Sequence, residues 1–288
     1  MLNALTIDVE DYYHVSAFES VISCESWERY ESRVEQNTHR ILDIMDVYNT
    51  KATFFVLGWI AERYPQLTRE INARGHEVAS HGYSHRRIYT QTVDQFREET
   101  RRSKHVLEEI IGQPVLGYRA ASYSITTHSL WALDILLEEG FVYDSSIFPI
   151  RHDLYGIPGY RRFCHILSTD KEHGLVEFPL STIQLGKIKL PIAGGGYFRL
   201  FPYGLTRWGI RYLNNTEYQP AVIYLHPWEI DPDQPRIQAG RLSRFRHYLN
   251  LARTEGRLRT LLQDFSCGPM VQVLQALGLL TPNIVSKP

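Results

Sequence analysis

Short apolar runs alternate with segments of helical periodicity along the first half of the chain, and this alternation constrains the fold most. The predicted strands lie at 4–7, 52–57, 76–80, 117–119 and 142–143, and the predicted helices at 38–48, 60–73, 93–111 and 129–139. Strands that alternate with helices over short connections form parallel sheets covered by helices. The pattern predicts an α/β fold, either a barrel or a doubly wound sheet.

The second half of the chain has a different pattern, with prolines and glycines soon after residue 148. Two runs, 176–182 and 187–192, predict a pair of strands that leave the main sheet. A core strand at 221–225 and a helix at 242–253 follow, and the last forty or so residues read as capping structure. Because no repeat or linker divides the chain, we expect one large α/β domain.

Composition excludes several classes of protein. With 31 Lys and Arg against 32 Asp and Glu the formal charge is −1, which argues against binding to nucleic acid. The longest apolar stretch, 52–61, is shorter than the roughly 20 residues of a membrane span. The N-terminus lacks a signal-peptide pattern, and the three cysteines form neither a disulfide framework nor a metal clip. We therefore expect a cytoplasmic protein without a membrane span.

Two polar clusters follow predicted strands and suggest a metal site. Carboxylates at Asp8, Glu10 and Asp11 come directly after the first strand, where they repel one another unless a cation or an arginine lies among them. His81 and His85 follow the third strand, four residues apart, so both imidazoles can reach one divalent ion. Two histidines and one carboxylate form a common facial metal site. The sequence therefore predicts a metal at the carboxyl edge of the sheet.

Two further residues lie at predicted strand ends, where parallel α/β folds place their sites. Arg119 follows the fourth strand, and its guanidinium is suited to holding a carboxylate. His226 ends a late core strand, and Pro227 fixes the turn after it. Strand-end placement favours a position for His226 at the mouth of the site over one in the core.

The order of these motifs resembles the polysaccharide deacetylase family, whose NodB homology domain is a distorted (β/α) barrel. The motifs are the acidic cluster, His-x-x-x-His, Arg-x-x-x-Tyr, Asp-Ser-Ser and Leu-His-Pro, and the match covers roughly 5–229. The whole chain is most similar to members from bacterial exopolysaccharide gene clusters, which begin with an Asp-Val-Glu-Asp-Tyr strand end. The resemblance implies a catalytic barrel over 1–229 and a C-terminal helical extension over 230–288 that packs on it.

The resemblance also implies roles for the strand-end residues. Asp8 would be the general base, and His81 and His85 would hold a divalent metal ion, zinc or a similar transition ion. Most members have adjacent aspartates, whereas Val9 follows Asp8 here, so the carboxylate ligand is Glu10 or Asp11. Strand alternation places Glu10 on the face of Asp8, while a turn after Glu10 would favour Asp11.

Arg119 would pair with Asp8, the backbone around Tyr123 would help to hold the oxyanion, and His226 would be the general acid. Asp144 matches the fourth motif in part, which makes it a candidate partner that orients His226. Aromatic residues beside the candidates could stack on sugar rings. They are Tyr12, Tyr13, Tyr83, Tyr123 and Trp228.

The expected activity is metal-dependent hydrolysis of N-acetyl groups on amino sugars of a polysaccharide or its precursor, in exopolysaccharide biosynthesis. The expected partner is therefore an N-acetylated carbohydrate, and the sequence leaves the oligomeric state open. Two alternatives stand beside this expectation. The first is another C–N amide hydrolase on the same fold, similar to allantoinase or to a peptidoglycan deacetylase. The second is a noncatalytic carbohydrate-binding protein.

Overall fold

A computed structural model of the chain describes residues 1–167, 174–192 and 194–281. Its main sheet contains strands in the spatial order β10 (Val222–Leu225), β1 (Asn3–Val9), β2 (Thr53–Val56), β3 (Glu77–Ser80), β4 (Gly117–Tyr118), β5 (Tyr143–Asp144), β7 (Leu175–Glu177) and β6 (His165–Leu167). Neighbours from β10 to β7 pair in parallel, and β6 pairs antiparallel with β7. A short strand, β11 (Cys267–Gly268), also pairs with the start of β1.

The sheet curls as a barrel does but keeps two ends. In the described part of the chain these ends are β10 and β6. Near the first end, Gly194 forms an isolated parallel bridge to Tyr224 of β10. The distorted (β/α) barrel expected from the sequence is confirmed.

Helices cover the strands on the outside. They are α1 (Val34–Val47), α2 (Gly58–Arg63), α3 (Pro65–Ala73), α4 (Val93–Ile111), α5 (Trp131–Glu138), α6 (Gly195–Leu200), α7 (Tyr203–Asn215), α8 (Arg241–Tyr248), α9 (Leu251–Asp264) and α10 (Met270–Ala276). Within these described helices, none has both the length and the apolar character needed to cross a bilayer.

Three helix predictions were wrong in detail. The segment 60–73 forms two helices, because Tyr64 leaves helical geometry and Pro65 begins α3 at the position where a missing N–H costs nothing. The segment 242–253 also breaks, at Asn250, whose φ of 54° is left-handed. Thr38 lies inside α1 and is not its N-cap, because the helix begins at Val34.

The predicted strand pair after residue 148 was wrong in its first half. Strand β7 joins the main sheet beside β5, and the hairpin consists of β8 (Thr182–Leu185) and β9 (Ile188–Pro191). The prediction placed Val176 in the hairpin because the apolar residues of β7 and of β8 follow each other closely in the sequence. The structure divides these residues between two sheets.

Strands β1 and β10 are buried on both faces, and residues of the site follow directly at their carboxyl ends. Every residue of β1 and of β10 is buried. Leu5, Ile7 and Ile223 have no exposed surface, and each such side chain stabilises the fold by about 1.5–3 kcal/mol relative to exposure. The C-terminal segment is tied to the same strands, because β11 pairs with β1 and Met270 packs in the core. The division at residue 229 stays a prediction.

Candidate active site

A pocket of about 210 Å³ opens beside the carboxyl ends of β1, β3 and β10. Parallel strands end together at this edge, so side chains that are distant in sequence converge there. The pocket is lined by six of the predicted site residues: Asp8, Glu10, His81, His85, Tyr123 and His226. Arg119 lies behind them, fully buried.

Three of these residues form a group that could hold a metal ion. Ligand atoms of Glu10, His81 and His85 all lie within 4.8 Å of one another. Glu10 Oε2 is 2.7 Å from His85 Nε2, and both side chains are almost fully buried. His85 has a φ of 52°, an uncommon backbone conformation for a residue with a side chain.

The chemistry of the three donors fits a divalent transition ion. Glu10 Oε2 is buried without a hydrogen-bond partner, although a buried carboxylate oxygen ordinarily has one. His81 Nδ1 lies 2.9 Å from the carbonyl oxygen of Arg119, to which it donates, so the lone pair of its Nε2 is free. Burial lowers the pKa of His81 to about 4, which leaves the neutral imidazole that a metal requires.

Glu10 is charged in this site in spite of its burial. Burial by itself favours the neutral acid, but His85 and His226 hold the pKa of Glu10 well below its ordinary value. A buried carboxylate beside two imidazoles is the oxygen and nitrogen donor set that zinc and similar ions accept.

Asp11, the alternative carboxylate ligand, lies outside this group. Its Oδ2 accepts hydrogen bonds from the Ser32 hydroxyl at 2.9 Å and from the backbone N–H groups of Arg33 and Val34 at 2.7 and 3.0 Å. These donors lie at the start of α1, where backbone N–H groups lack helical partners. Asp11 therefore anchors a helix, and the strand alternation that favoured Glu10 agrees with the geometry.

Asp8 is held from two sides. Arg119 Nη1 donates to Asp8 Oδ1 at 2.7 Å, and the Tyr123 hydroxyl donates to Asp8 Oδ2 at 3.2 Å. Arg119 itself is fixed by Thr6 Oγ1 at 2.6 Å and by the carbonyl oxygen of Ser145 at 3.1 Å. The expected pairing of Arg119 with Asp8 is present in the structure. It orients the carboxylate toward the pocket.

The geometry does not support the oxyanion role expected for the backbone at Tyr123. The N–H of Tyr123 donates to the carbonyl oxygen of Ala120 at 3.0 Å, so this donor is already used. Ser122 and Tyr123 both have left-handed φ values, 51° and 52°, which turn the tyrosine ring toward Asp8. The contact of Tyr123 with the site is therefore made by its hydroxyl.

His226 lines the same pocket and lies beside the carboxylates of Glu10 and Asp8. Its Nε2 lies 3.4 Å from Glu10 Oε1 and 3.9 Å from Asp8 Oδ2. Burial by itself lowers the pKa of His226, but Glu10 and Glu229 outweigh this effect and raise it to about 9. At neutral pH His226 therefore carries a proton on the nitrogen that faces the pocket.

Comparison with known protein families agrees with this arrangement. Residues 27–136 match the family described as polysaccharide deacetylase, and residues 145–275 match a domain of unknown function. The segment 27–136 therefore belongs to the polysaccharide deacetylase family. The first match contains His81, His85 and Arg119, and the second contains His226.

Two curated members of the polysaccharide deacetylase family share parts of this chain. A peptidoglycan-N-acetylglucosamine deacetylase from Bacillus cereus is 35% identical over 75 residues, 26% of this chain and 27% of that protein. A chitooligosaccharide deacetylase from Bradyrhizobium sp. is 28% identical over 99 residues, 34% of this chain and 43% of that protein. The chain thus spans less than half the length of either relative.

A solved structure is similar to this chain over the whole fold. A probable polysaccharide deacetylase from Pseudomonas aeruginosa PAO1 superposes with a TM-score of 0.64 at 14% identity. The match covers 96% of this chain and 92% of that one. At this level of identity the likeness establishes the fold.

In the structure Asp144 does not orient His226, contrary to the expectation. Asp144 accepts hydrogen bonds from the hydroxyl and the backbone N–H of Ser146, at 2.5 and 3.2 Å. The carboxylate beside His226 is Glu229, whose Oε2 lies 3.2 Å from His226 Nδ1. The expectation that an acid lies beside His226 was correct, but the acid is Glu229 and not Asp144. The turn after β10 brings Glu229 back onto the histidine.

Arg199 was missed in the sequence analysis, and Trp228 was expected only as a surface for stacking on sugar rings. Trp228 Nε1 donates to Glu10 Oε1 at 3.3 Å, and its ring stacks on His226. Arg199 Nε donates to Glu229 Oε1 at 2.6 Å. The spacing of three residues between His226 and Glu229 was a usable signal, whereas nothing local marked Arg199.

The aromatic residues divide between core and pocket. Tyr12 and Tyr13 are buried in an apolar cluster and do not line the pocket, so they are core residues and not sugar platforms. The Tyr83 hydroxyl donates to Glu62 at 2.8 Å, also outside the lining. The aromatic side chains that line the pocket are Tyr123, Tyr155, Tyr224 and Trp228.

Proposed function

We propose that this chain hydrolyses the amide bond of N-acetylated amino sugars in a polysaccharide or its precursor, releasing acetate and a free amine. One observation carries the proposal. A held carboxylate, Asp8, and a protonated imidazole, His226, lie 3.9 Å apart beside a donor group suited to a metal. The two curated relatives are named for deacetylation of peptidoglycan N-acetylglucosamine and of chitooligosaccharides, which supports the substrate class.

Glu10, His81 and His85 would hold a divalent ion, with zinc as the expected metal. Such an ion would supply Lewis-acid activation of the acetyl carbonyl and of the attacking water. The chain contributes the fixed geometry of its ligands. The Arg119 carbonyl oxygen fixes the His81 ring, and Trp228 Nε1 fixes the Glu10 carboxylate.

Asp8 would accept the proton of the attacking water. Its Oδ1 is occupied by Arg119, and its Oδ2, which carries only the weaker contact from Tyr123, is the oxygen nearer to His226. This division leaves Oδ2 as the atom that takes the proton. A positioned general base of this kind contributes about 10²–10⁴-fold to the rate.

His226 would deliver a proton from Nε2 to the sugar nitrogen as the C–N bond breaks. The water oxygen forms the new bond to the acetyl carbon, and the electron pair of the broken bond leaves with the nitrogen. The proton from His226 neutralises that nitrogen, and the products are an amine and acetate. Separate groups, Asp8 and His226, thus remove and deliver the protons.

The finer assignments rest on the resemblance of the whole sequence. We assign the glycan to bacterial exopolysaccharide biosynthesis, because the strand end at 8–12 and the C-terminal segment resemble members from those gene clusters. The cytoplasmic location expected from the sequence stays a prediction. Fractionation of cells that produce the tagged chain would test it.

Acetate release is the direct test. The purified chain, loaded with zinc, should release acetate from N-acetylglucosamine oligomers or exopolysaccharide fragments and should leave allantoin intact. Removal of the metal with a chelator should abolish the release, and zinc should restore it. Hydrolysis of allantoin in place of the glycans would select the alternative amide hydrolase. Glycan binding without acetate release would select the noncatalytic alternative.

A further inference from the structure

We propose that helix α8 is a peripheral membrane contact that docks the mouth of the pocket against a surface of anionic lipid. The docking face consists of Arg241, Leu242, Arg244 and Phe245, and we call it the α8 face. The contact itself goes beyond the proposed function. Its consequence for the substrate rests on that function, because a pocket held at a lipid surface would serve the precursor of the glycan in a form attached to lipid.

Two apolar side chains of the α8 face are exposed to solvent. Leu242 is 61% exposed and Phe245 is 58% exposed, and their spacing of three residues places them on one face of the helix. The other face of the helix is anchored, because His247 is buried and its ring stacks on Trp228 with 4.2 Å between the ring centroids. A firmly packed helix therefore presents two large apolar side chains to water.

The charge around these apolar side chains has one sign. The segment 234–248 contains four arginines and no acidic residue, although the whole chain has a formal charge of −1. Among the residues that the structure describes, Arg241 and Arg244 have no ion-pair partner and no side-chain hydrogen bond. The exposed arginines of α4 are paired instead, as Arg101 is with Glu139 at 2.9 Å. The arginines of the α8 face are therefore available to an anionic surface.

This combination fits a lipid surface better than it fits other partners. Apolar side chains between arginines match the boundary of a bilayer, where acyl chains lie beneath charged headgroups. A soluble acidic polymer would neutralise the arginines but would leave Leu242 and Phe245 in water. A second copy of the chain, related by a two-fold axis, would bring the arginines of two α8 faces together, and like charges repel.

The α8 face borders the mouth of the pocket. Arg246 and His247 of the same helix line the pocket, and Leu242 lines a second cavity of about 670 Å³. Arg246 lines both spaces, so the two are adjacent. A lipid surface in contact with Leu242 and Phe245 would therefore lie next to the opening through which a glycan enters.

Co-sedimentation with vesicles tests the contact in the full chain. Vesicles of phosphatidylglycerol and phosphatidylcholine in equal parts present the anionic surface, and vesicles of phosphatidylcholine alone are the uncharged comparison. Two double variants change the α8 face. Leu242→Ser with Phe245→Ser removes the apolar pair, and Arg241→Gln with Arg244→Gln removes the positive charge. Circular dichroism of each variant shows that the fold is intact.

The matched control is a second exposed apolar pair, on the hairpin of β8 and β9. Leu185 is 47% exposed and Ile188 is 69% exposed, and Lys187 lies between them in the sequence. The variant Leu185→Ser with Ile188→Ser therefore removes a comparable apolar surface beside a basic residue. It separates docking through α8 from general adhesion of exposed apolar side chains to lipid.

We expect the unsubstituted chain to bind anionic vesicles at least about 10-fold more tightly than uncharged ones, and salt at about 0.5 M should weaken this binding because it screens the charges. Each α8 variant should bind anionic vesicles about 10- to 30-fold more weakly, because each arginine at the headgroups and each inserted side chain contributes several-fold to the affinity. The hairpin control should stay within about 2-fold of the unsubstituted chain.

The consequence for the substrate is tested with the zinc-loaded chain on two forms of one sugar. A synthetic N-acetylglucosaminyl lipid in anionic vesicles is the membrane-bound form, and N-acetylglucosamine oligomers are the soluble form. Each α8 variant should lower acetate release from the vesicles about 10-fold and keep the release from soluble oligomers within about 2-fold, because only the contact with the surface is lost. Equal losses on both forms would overturn this consequence.

Three results would overturn the membrane contact itself. The first is no binding of the unsubstituted chain to anionic vesicles, including the case in which Leu242→Ser with Phe245→Ser abolishes self-association and so assigns the face to a second copy. The second is unchanged vesicle binding by that variant, which would indicate a purely ionic partner. The third is loss of binding in the hairpin control. Failure of the proposed function differs from all three, because neither sugar would then release acetate while vesicle binding still depended on α8.

Discussion

Two sets of buried carboxylates in this protein have pKa values shifted in opposite directions. The site carboxylates are Glu10 and Glu229, at the pocket, and the sheet carboxylates are Glu77, Asp144 and Glu177, which belong to the strands themselves. Burial favours the neutral acid in both sets. The pKa of each site carboxylate is nevertheless lowered, to about 2 for Glu229, whereas the pKa of each sheet carboxylate is raised.

The direct partners explain the difference. Glu229 lies against the Arg199 guanidinium and the His226 imidazole, and Glu10 lies against two imidazoles. The direct partners of the sheet carboxylates are hydroxyls, backbone N–H groups and, for Asp144 and Glu177, each other's carboxyl groups. Glu77, for example, accepts from the hydroxyl of Tyr143 at 2.7 Å and from the backbone N–H of Val271 at 3.1 Å. Burial by itself raises the pKa of every carboxylate in both sets. A cationic neighbour is what lowers the pKa of the site carboxylates.

The largest expected effect follows from removing a nitrogen donor beside Glu10. His81→Ala should abolish tight zinc binding and lower acetate release by at least about 1000-fold, because Lewis-acid activation is worth several kcal/mol. Metal analysis after dialysis and an acetate assay measure both effects. His105→Ala is the control, since that side chain is 69% exposed. Unchanged metal content in His81→Ala would remove it from the ligand set.

Asp8→Asn should separate metal binding from proton transfer. The amide keeps an oxygen for Arg119 but cannot take a proton, so zinc content should stay the same while kcat falls by about 10²–10⁴-fold. Metal analysis and steady-state kinetics on N-acetylglucosamine oligomers measure the two quantities. Turnover within about 10-fold of the unsubstituted chain would assign the base to another residue.

Replacing a site carboxylate by its amide should destabilise the protein more than the same replacement of a sheet carboxylate. Glu229→Gln leaves the buried Arg199 unpaired and should lower the free energy of unfolding by about 3 kcal/mol. Glu177→Gln replaces an acid whose pKa is raised well above its ordinary value by burial, and it should cost less than about 1 kcal/mol. Urea denaturation at pH 7 measures both. Equal losses in the two variants would contradict the assignment of charge.

The smallest expected effect is a change in the pH dependence of stability. The raised pKa of Glu77 means that the folded state holds a proton that the unfolded state releases, so this group weakens the fold as pH rises above about 4.5. Glu229 acts in the opposite direction, because its contribution is present above about 4.5 and is lost as pH falls toward 2. Glu77→Gln should flatten the loss of stability between pH 5 and 8.

Urea midpoints at pH 5 and pH 8 measure this slope, with Glu109→Gln as the control on an exposed side chain. An unchanged slope in Glu77→Gln would show that Glu77 is ionised in the folded state, which would weaken the distinction between the two sets.

Much of the barrel and the site residues that follow β1 and β3 could be predicted, because the sequence patterns that mark them are local. Strand β1 is a short apolar run, and Asp8 and Glu10 share one face because side chains alternate along a strand. His81 and His85 are near each other in sequence and follow a strand whose edge is shared with β1. The parallel topology, itself predicted from alternation, brings these ends together.

Only the tertiary structure decided which of the candidate acids lie in the site and that Arg199 joins them. Asp11 was equivalent to Glu10 in the sequence, and the start of α1 decided between them by taking Asp11 as its anchor. Asp144 and Glu229 were both acids near a late motif, and the turn after β10 chose Glu229. Arg199 reaches Glu229 across 30 residues of chain, and its carbonyl partners lie about fifty residues away. Sequence patterns report periodicity and spacing within one element, whereas such contacts depend on how separate elements pack, which no local pattern encodes.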